Sequence, residues 1–372
     1  MPTEAQIATA LAGVDDPEIG RPITELNMVE TITIDAHGQV VVRILLTIAG
    51  CPLRTKIGND IREAVTAVPG VTGVDIDFGV MTDEQRRDLR VQLRGPEAVS
   101  ALAQPDSPTK VYCVVSGKGG VGKSSVTVNL AVALARRGLR VGIMDADVHG
   151  HSVPAMLGIT ETPTLVESMM MPPRAFGIRV ISIGMFVEGN APVVWRGPML
   201  HRALQQFVND VYWGELDILL IDMPPGTGDI AISLAQLLPA AELLVVTTPQ
   251  RTAARIAERA GAVAAQTGQR VAGIIENMSW YDTADGTRHT PFGAGGATAV
   301  SRALSGLLDT HCPVLGRIPF DPAVCAAGDD GAPFVHTDPD SAPAKAVREI
   351  AAALAPIVRR PLLVTPPNRV MA

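Results

Sequence analysis

Cysteine is scarce in this chain. Only Cys51, Cys113, Cys312 and Cys325 occur among 372 residues, and their scatter excludes a disulfide framework. That usage fits a reducing cytoplasm, which is the expected location. Long apolar runs are missing too: none approaches the ~18 residues that a membrane-spanning helix needs. The first twenty residues carry Glu4, Asp15, Asp16 and Glu18 and no apolar stretch, so they do not read as a secretory signal. The alanine-rich segment from Ala342 to Val358 has too few basic residues for a helix lying on a membrane. Positive charge is not in excess either. A formal net charge of −7 speaks against a large nucleic-acid footprint. Neither nucleic acid nor membrane is therefore an expected partner. What remains, 47% hydrophobic and 19% charged residues, suits a soluble globular protein.

The length exceeds one ordinary core and points to two domains. Residues 1–94 read as a small α+β unit. Helical spacing runs from Glu4 to Gly13 and from Arg54 to Val68. Strand-like alternation covers Val29 to Ile34, Val40 to Thr47 and Gly73 to Phe78, with a turn at Ala36-His37-Gly38. Residues 95–110 contain Pro96, Pro105, Asp106, Ser107 and Pro108 and read as a linker.

Residues 111–358 then alternate short apolar strands with helical stretches, and 359–372 form a tail. Strands are expected from Val111 to Val115, Arg140 to Met144, Arg179 to Ile183, Asp217 to Ile221, Glu242 to Thr247, Val271 to Ile275 and Val314 to Ile318. Helices are expected from Ser124 to Arg137, Pro198 to Tyr212, Asp229 to Leu237, Thr252 to Thr267 and Ala297 to Leu308. The fold class is therefore α/β: a mostly parallel sheet with helices on both faces, preceded by a small α+β domain.

One stretch carries most of the functional information. Gly117-Lys118-Gly119-Gly120-Val121-Gly122-Lys123-Ser124 matches the phosphate-loop pattern G-x-x-x-x-G-K-[ST]. It lies between an expected strand and an expected helix, as that pattern requires. Glycines let backbone N–H groups face a phosphate without a Cβ in the way. The helix N-terminus, beginning near Ser125, adds favourable partial charge. Lys123 is expected on the β- and γ-phosphates and the Ser124 hydroxyl on Mg²⁺.

Two acidic strand ends support this reading. Asp222 closes an apolar strand and is expected near the magnesium; Asp147 follows another and is the candidate for orienting the attacking water. The segment Met223-Pro224-Pro225-Gly226-Thr227-Gly228-Asp229 is placed to contact the γ-phosphate and to change shape on hydrolysis. Lys118 reads either as a solvated loop lysine or as a cation given across a dimer interface to the partner's phosphates. Asn277 can donate and accept toward an adenine edge, or it is a strand-end turn residue. Residues 317–321 are a further candidate for lining the base pocket.

The loop, with its second lysine Lys118, resembles the deviant phosphate loop of the MinD and ParA ATPase superfamily. Asp145-Ala146-Asp147, Val194-Trp195-Arg196-Gly197-Pro198-Met199, Asp222 to Asp229 and Ile275-Glu276-Asn277-Met278-Ser279 resemble its Mrp/ApbC branch. The likeness covers residues 108–358. The N-terminal unit is similar to the small domain that precedes many bacterial Mrp ATPases, through Asp16-Pro17-Glu18 and Thr47-Ile48-Ala49-Gly50-Cys51-Pro52. The resemblance implies Mg-dependent ATP hydrolysis by a homodimer that carries iron–sulfur clusters to apoprotein acceptors from an assembly scaffold. A positioning or scaffolding switch of the MinD/ParA kind is the alternative.

Two departures stand out. The family's C-x-x-C pair is missing after Asn277-Met278-Ser279: residues 279–293 hold no cysteine, so the usual thiolate bridge cannot form. His151 also replaces the usual proline after Gly150. Cys113 reads as a core residue, Cys312 and Cys325 match no cluster spacing, and His289 reads as a loop histidine. Cys51 remains a candidate cluster ligand, because a following helix would favour its thiolate; a structural cysteine is the other reading.

Overall fold

The computed structural model describes residues 1–355 apart from 49, 52, 95–100, 105–106, 148–149, 151, 187–196, 227–228, 251–262 and 284. In the N-terminal unit, α1 (Glu4–Leu11) opens with a capping box in which Thr3 and Gln6 satisfy each other's backbone. β1 (Val29–Ile34) pairs antiparallel with β2 (Gln39–Leu46), and β3 (Gly73–Val80) joins β2 in parallel. Val40, Val42 and Ile44 of β2 point inward with a period of two. They meet Ile57, Ile61 and Val65, the four-residue stripe of α2 (Arg54–Thr66). A third helix, α3 (Asp83–Arg94), was not expected: it has three apolar residues in twelve, too few to mark a period, and anchors through buried Leu89.

In the larger unit seven strands run parallel: β4 (Lys110–Val115), β5 (Val141–Asp145), β9 (Ile178–Ser182), β10 (Ile218–Asp222), β11 (Glu242–Thr247), β12 (Val271–Glu276) and β15 (Val314–Arg317). Their order is β15-β12-β11-β4-β10-β5-β9, and β8 (Arg174–Ala175) adds an antiparallel edge. Two hairpins, β6–β7 (Thr164–Val166, Met169–Met171) and β13–β14 (Tyr281–Asp282, Arg288–His289), stand apart from it.

Side chains of β4 alternate between two cores. Val111, Cys113 and Val115 face α6 (Gly197–Asn209), α7 (Asp229–Leu237) and α8 (Gly296–Leu308). Tyr112 and Val114 face α4 (Lys123–Ala135), α5 (Val153–Met156), α10 (Phe334–Thr337) and α11 (Ala342–Leu354). A further helix, α9 (Pro322–Asp329), precedes α10. α4 buries every residue from Val126 to Leu134, so it is a central helix without a solvent face. β10 and β11 flank β4 on opposite sides, which opens a crevice at the carboxyl end of β4.

The expected strands all occur, with ends shifted by a residue at most except in β3, which runs two residues past Phe78 to Val80. The helix expected from Thr252 begins outside the described residues, and 263–267 are helical. Of the expected linker, Leu102 is buried in the larger core and Lys110 already belongs to β4.

The N-terminal unit docks on the larger one. Val166, Met169, Met171 and Tyr212 belong to the same apolar cluster as Ile7, Ile23 and Leu26. Thr164 Oγ1 donates to both carboxylate oxygens of Glu18 at 3.1 Å, and the Ile19 carbonyl accepts from Arg174 (3.3 Å) and Arg179 (3.2 Å). Asp16 shapes this segment by accepting the N–H groups of Glu18 and Ile19.

Candidate nucleotide site

β4 delivers the loop and α4 receives it. Gly120 and Gly122 take φ of 78° and 80°, the left-handed region where other residues are strained. At Gly122 a Cβ would also lie 2.3 Å from Asn277 Nδ2, so glycine is required there twice over. Gly122 precedes the first turn of α4, whose N–H groups lack intrahelical partners.

Behind the loop lies a carboxylate-centred network. β10 pairs with both β4 and β5, so Asp222 sits level with Val114 and Asp145. Its side chain is fully buried. Lys123 Nζ stands 2.7 Å from Asp222 Oδ2 and 3.7 Å from Asp147 Oδ2. Ser124 Oγ donates to Asp222 Oδ2 at 2.6 Å, and Thr127 Oγ1 donates to Asp222 Oδ1 at 2.8 Å. Asp147 Oδ1 accepts from the Gly150 N–H at 3.0 Å. Lys123, Ser124, Asp147 and Asp222, expected to work together, are thus brought together.

Asp145 completes the cluster. It accepts from Ser182 Oγ (2.9 Å) and the Asp147 N–H (3.1 Å). Burial first, and then the Asp222 charge, push its carboxyl above the usual range; the two donors and Lys123 oppose this. Thr127 and Asp145 were not singled out from sequence. Thr127 follows Lys123 by four residues in α4, which was the available clue.

Lys118 Nζ donates to Gln250 Oε1 of the same chain at 2.8 Å. Asn277 Nδ2 donates to the Val121 carbonyl at 3.0 Å, tying β12 to the loop. Beside Gly122 and Ser125 opens a cavity of about 430 Å³, mostly apolar, with Asn277, Met278, Pro319, Phe320 and Cys325 in its wall. That size and chemistry suit a planar ring bound next to a phosphate grip. Of the candidate residues 317–321, 318–321 line it and Arg317 is not part of its wall.

The cysteines differ from expectation at one point. Cys51 is half-buried beside the docking segment, and its thiol is pushed up, not down. Burial outweighs the N–H groups of Leu53 and Arg54, and Glu18 and Asp16 add repulsion, so the helix does not produce a thiolate here. Cys113 is a buried strand residue, raised to about 12 by burial. The stretch lacking C-x-x-C forms β13–β14, closed by Arg288 on Asp282 (2.8 and 3.0 Å) and over the Trp280 ring (4.4 Å). Among the described residues no three His, Cys, Asp or Glu side chains form a metal-holding group. His151, Val194-Trp195-Arg196 and Thr227-Gly228 lie outside the described residues.

Comparison with known proteins agrees with this geometry. The model of the NUBPL iron-transfer P-loop NTPase family matches residues 107–355, two thirds of the chain. The chain belongs to this family. A second model, iron–sulfur cluster assembly protein, matches residues 4–76. The iron-sulfur cluster carrier protein of Mycobacterium tuberculosis is 59% identical over 349 residues, 93% of this chain and 92% of that protein. The Bacillus subtilis protein of the same name is 40% identical over 320 residues, 85% and 88% of the two chains. Among solved structures, an Archaeoglobus fulgidus nucleotide-binding protein in complex with ADP superposes with a TM-score of 0.52 at 33% identity, covering 67% of this chain and 91% of that one. Among the described residues of this family member, no helix is long and apolar enough to cross a membrane.

Proposed function

We propose that this chain binds Mg-ATP at the loop 117–125, hydrolyses it as a cytoplasmic homodimer, and uses the cycle to carry iron–sulfur clusters from an assembly scaffold to apoprotein acceptors. The observation that carries the reading is the Lys123–Ser124–Thr127–Asp222 network under a glycine loop, with an apolar cavity beside it. Residues 117–125 hold the phosphates, and Lys123 exchanges its carboxylate partners for phosphate oxygens. Ser124 Oγ and Asp222, hard oxygen donors 2.6 Å apart, suit Mg²⁺, which completes its shell with water and phosphate. When bound, the ion neutralises charge on the phosphates. Asp147, in reach of this centre, orients the water. Asn277 and the cavity take the adenine. Lys118, once released from Gln250, serves the partner's phosphates.

Cluster carriage is supported by relatives named as carriers at 59% and 40% identity, which disfavours a positioning switch. The small N-terminal domain, docked at Glu18 and Ile19, is part of the carrier. The cluster, as cargo, lacks the C-x-x-C ligands, and Cys51 is the candidate that remains from sequence. Anaerobic reconstitution with ferrous iron and sulfide tests this, with iron counted per protomer and Mg-ATP affinity measured by calorimetry. Iron in wild type and less in Cys51→Ala is the expected result. No iron in wild type would sink the carriage, undiminished iron in the variant would remove Cys51, and no heat with Mg-ATP would remove the nucleotide reading.

A further inference from the structure

β12 ends in a carboxylate that the phosphate chemistry leaves unused. Glu276 is 2% exposed and lies between Thr247 of β11 and Arg317 of β15. Its Oε2 accepts the Ala297 N–H at 2.7 Å, in the first turn of α8. Its Oε1 accepts from Ser279 Oγ at 3.0 Å and stands 3.4 Å from Arg317 Nε. A buried carboxylate persists only with such a set of partners. These partners reach across two elements, α8 and β15, and the turn 277–279.

That turn forms one wall of the cavity. Asn277 and Met278 both line it. Met278 has φ of 57°, a conformation that side-chain-bearing residues adopt only where their surroundings hold them. Two backbone bonds hold it: the Asn277 N–H to the Thr247 carbonyl (2.8 Å) and the Ser279 N–H to the Ile318 carbonyl (2.9 Å). Ser279 Oγ also donates to the Glu276 carbonyl (3.0 Å) and Asn277 Nδ2 to the Val121 carbonyl (3.0 Å), and the Glu276 carboxylate adds a brace of its own through Ser279 and the start of α8. The phosphate end has separate anchors in Ser124, Thr127 and Asp222, none of which touches Glu276.

We infer that Glu276 is a positioning residue for the nucleobase. It fixes the turn so that Asn277 and Met278 present a shaped wall to the base, and it acts on the base end of the ligand rather than the phosphate end. This rests on the reading of the cavity as the ATP base pocket. Calorimetry of the full chain with Mg-ATP and, separately, with Mg-tripolyphosphate separates the two ends. In wild type ATP binds tighter than tripolyphosphate. Glu276→Ala is expected to weaken ATP about tenfold, the scale of a lost charged hydrogen bond, with tripolyphosphate changed less than about twofold. Glu276→Gln, which keeps an acceptor for Ala297, recovers part of the loss. A Glu276→Ala protein that loses both ligands equally, or keeps ATP affinity, overturns the assignment. Should that variant not fold, Glu276→Gln and Ser279→Ala decide by the same ATP-against-tripolyphosphate ratio. Equal affinity of wild type for the two ligands would instead refute the base-pocket reading itself.

Discussion

Glu18 makes the docking of the two domains sensitive to pH. Its carboxylate meets Thr164 Oγ1 at 3.1 Å from each oxygen, and Arg174 lies nearby. Burial first, then the charge of Asp16, raise its pKa from 4.5 to about 7; the Thr164 hydroxyl and the Arg174 charge oppose this and do not win. The unfolded chain releases this proton near 4.5 and the folded chain near 7, so the folded state holds the extra proton in between. Stability from this group is therefore complete below 4.5 and is lost as pH rises through 7. At 1.36 kcal/mol per pH unit the upper bound is about 3 kcal/mol, and solvent reaching the partly open carboxylate lowers it to about 1–2 kcal/mol. Glu18→Gln keeps the shape and removes the ionisation. Urea unfolding followed by circular dichroism at pH 5 to 8 should show wild-type stability falling across this window and the Gln variant nearly flat. Asp16, also raised by burial, leaves a residual slope at the acid end. A Glu18→Gln profile parallel to wild type would refute the assignment of this slope to the junction.

Three other outcomes are expected. Thr127→Val leaves Asp222 Oδ1 without the donor that now stands 2.8 Å away, so scanning calorimetry should show a loss of about 1–3 kcal/mol, and Mg-ATP should bind more weakly; an unchanged melt would contradict the network. Lys118→Ala should keep Mg-ATP binding and lose hydrolysis, with activity partly restored by mixing with Asp147→Ala subunits; absence of that rescue in a phosphate-release assay counts against action across the dimer. Cys325, exposed in the cavity wall, should be alkylated by iodoacetamide well before buried Cys113 and Cys312, and Mg-ATP should slow its labelling several-fold by mass spectrometry. Labelling at the same rate with and without nucleotide would argue that the base lies elsewhere.

The glycine loop and the residues around it were legible because their determinants are local. Glycines at 120 and 122 are needed by the backbone of the very loop they sit in. Lys123 and Ser124 follow at once, and Asp222 announces itself as a charge ending the four apolar residues of β10. The short continuous apolar runs of β4, β10 and β11 likewise declare buried strands without reference to anything distant. What sequence under-reads is a residue whose meaning comes from a neighbour far along the chain. Thr127 looks like an ordinary helix residue until β10 places a carboxylate beside it.

Cys51 shows the same limit in reverse, and here local reasoning gave the wrong sign. A cysteine just ahead of a helix should ionise easily if the helix were the only influence. Folding, however, brings Asp16 and Glu18 from more than thirty residues upstream to the same spot and takes the sulfur half out of water. Desolvation first, and then the carboxyl groups of Glu18 and Asp16 to the extent that they are ionised, act in one direction, and amide donors from Leu53 and Arg54 are too few to reverse them. The thiol therefore stays protonated at neutral pH in the docked state. A soft metal ligand has to lose its proton to bind, so iron uptake at Cys51 should release a proton and strengthen as pH rises. Counting iron after reconstitution at pH 7 and pH 9 checks this: retention that is equal at both values would remove Cys51 as a ligand in this docked geometry.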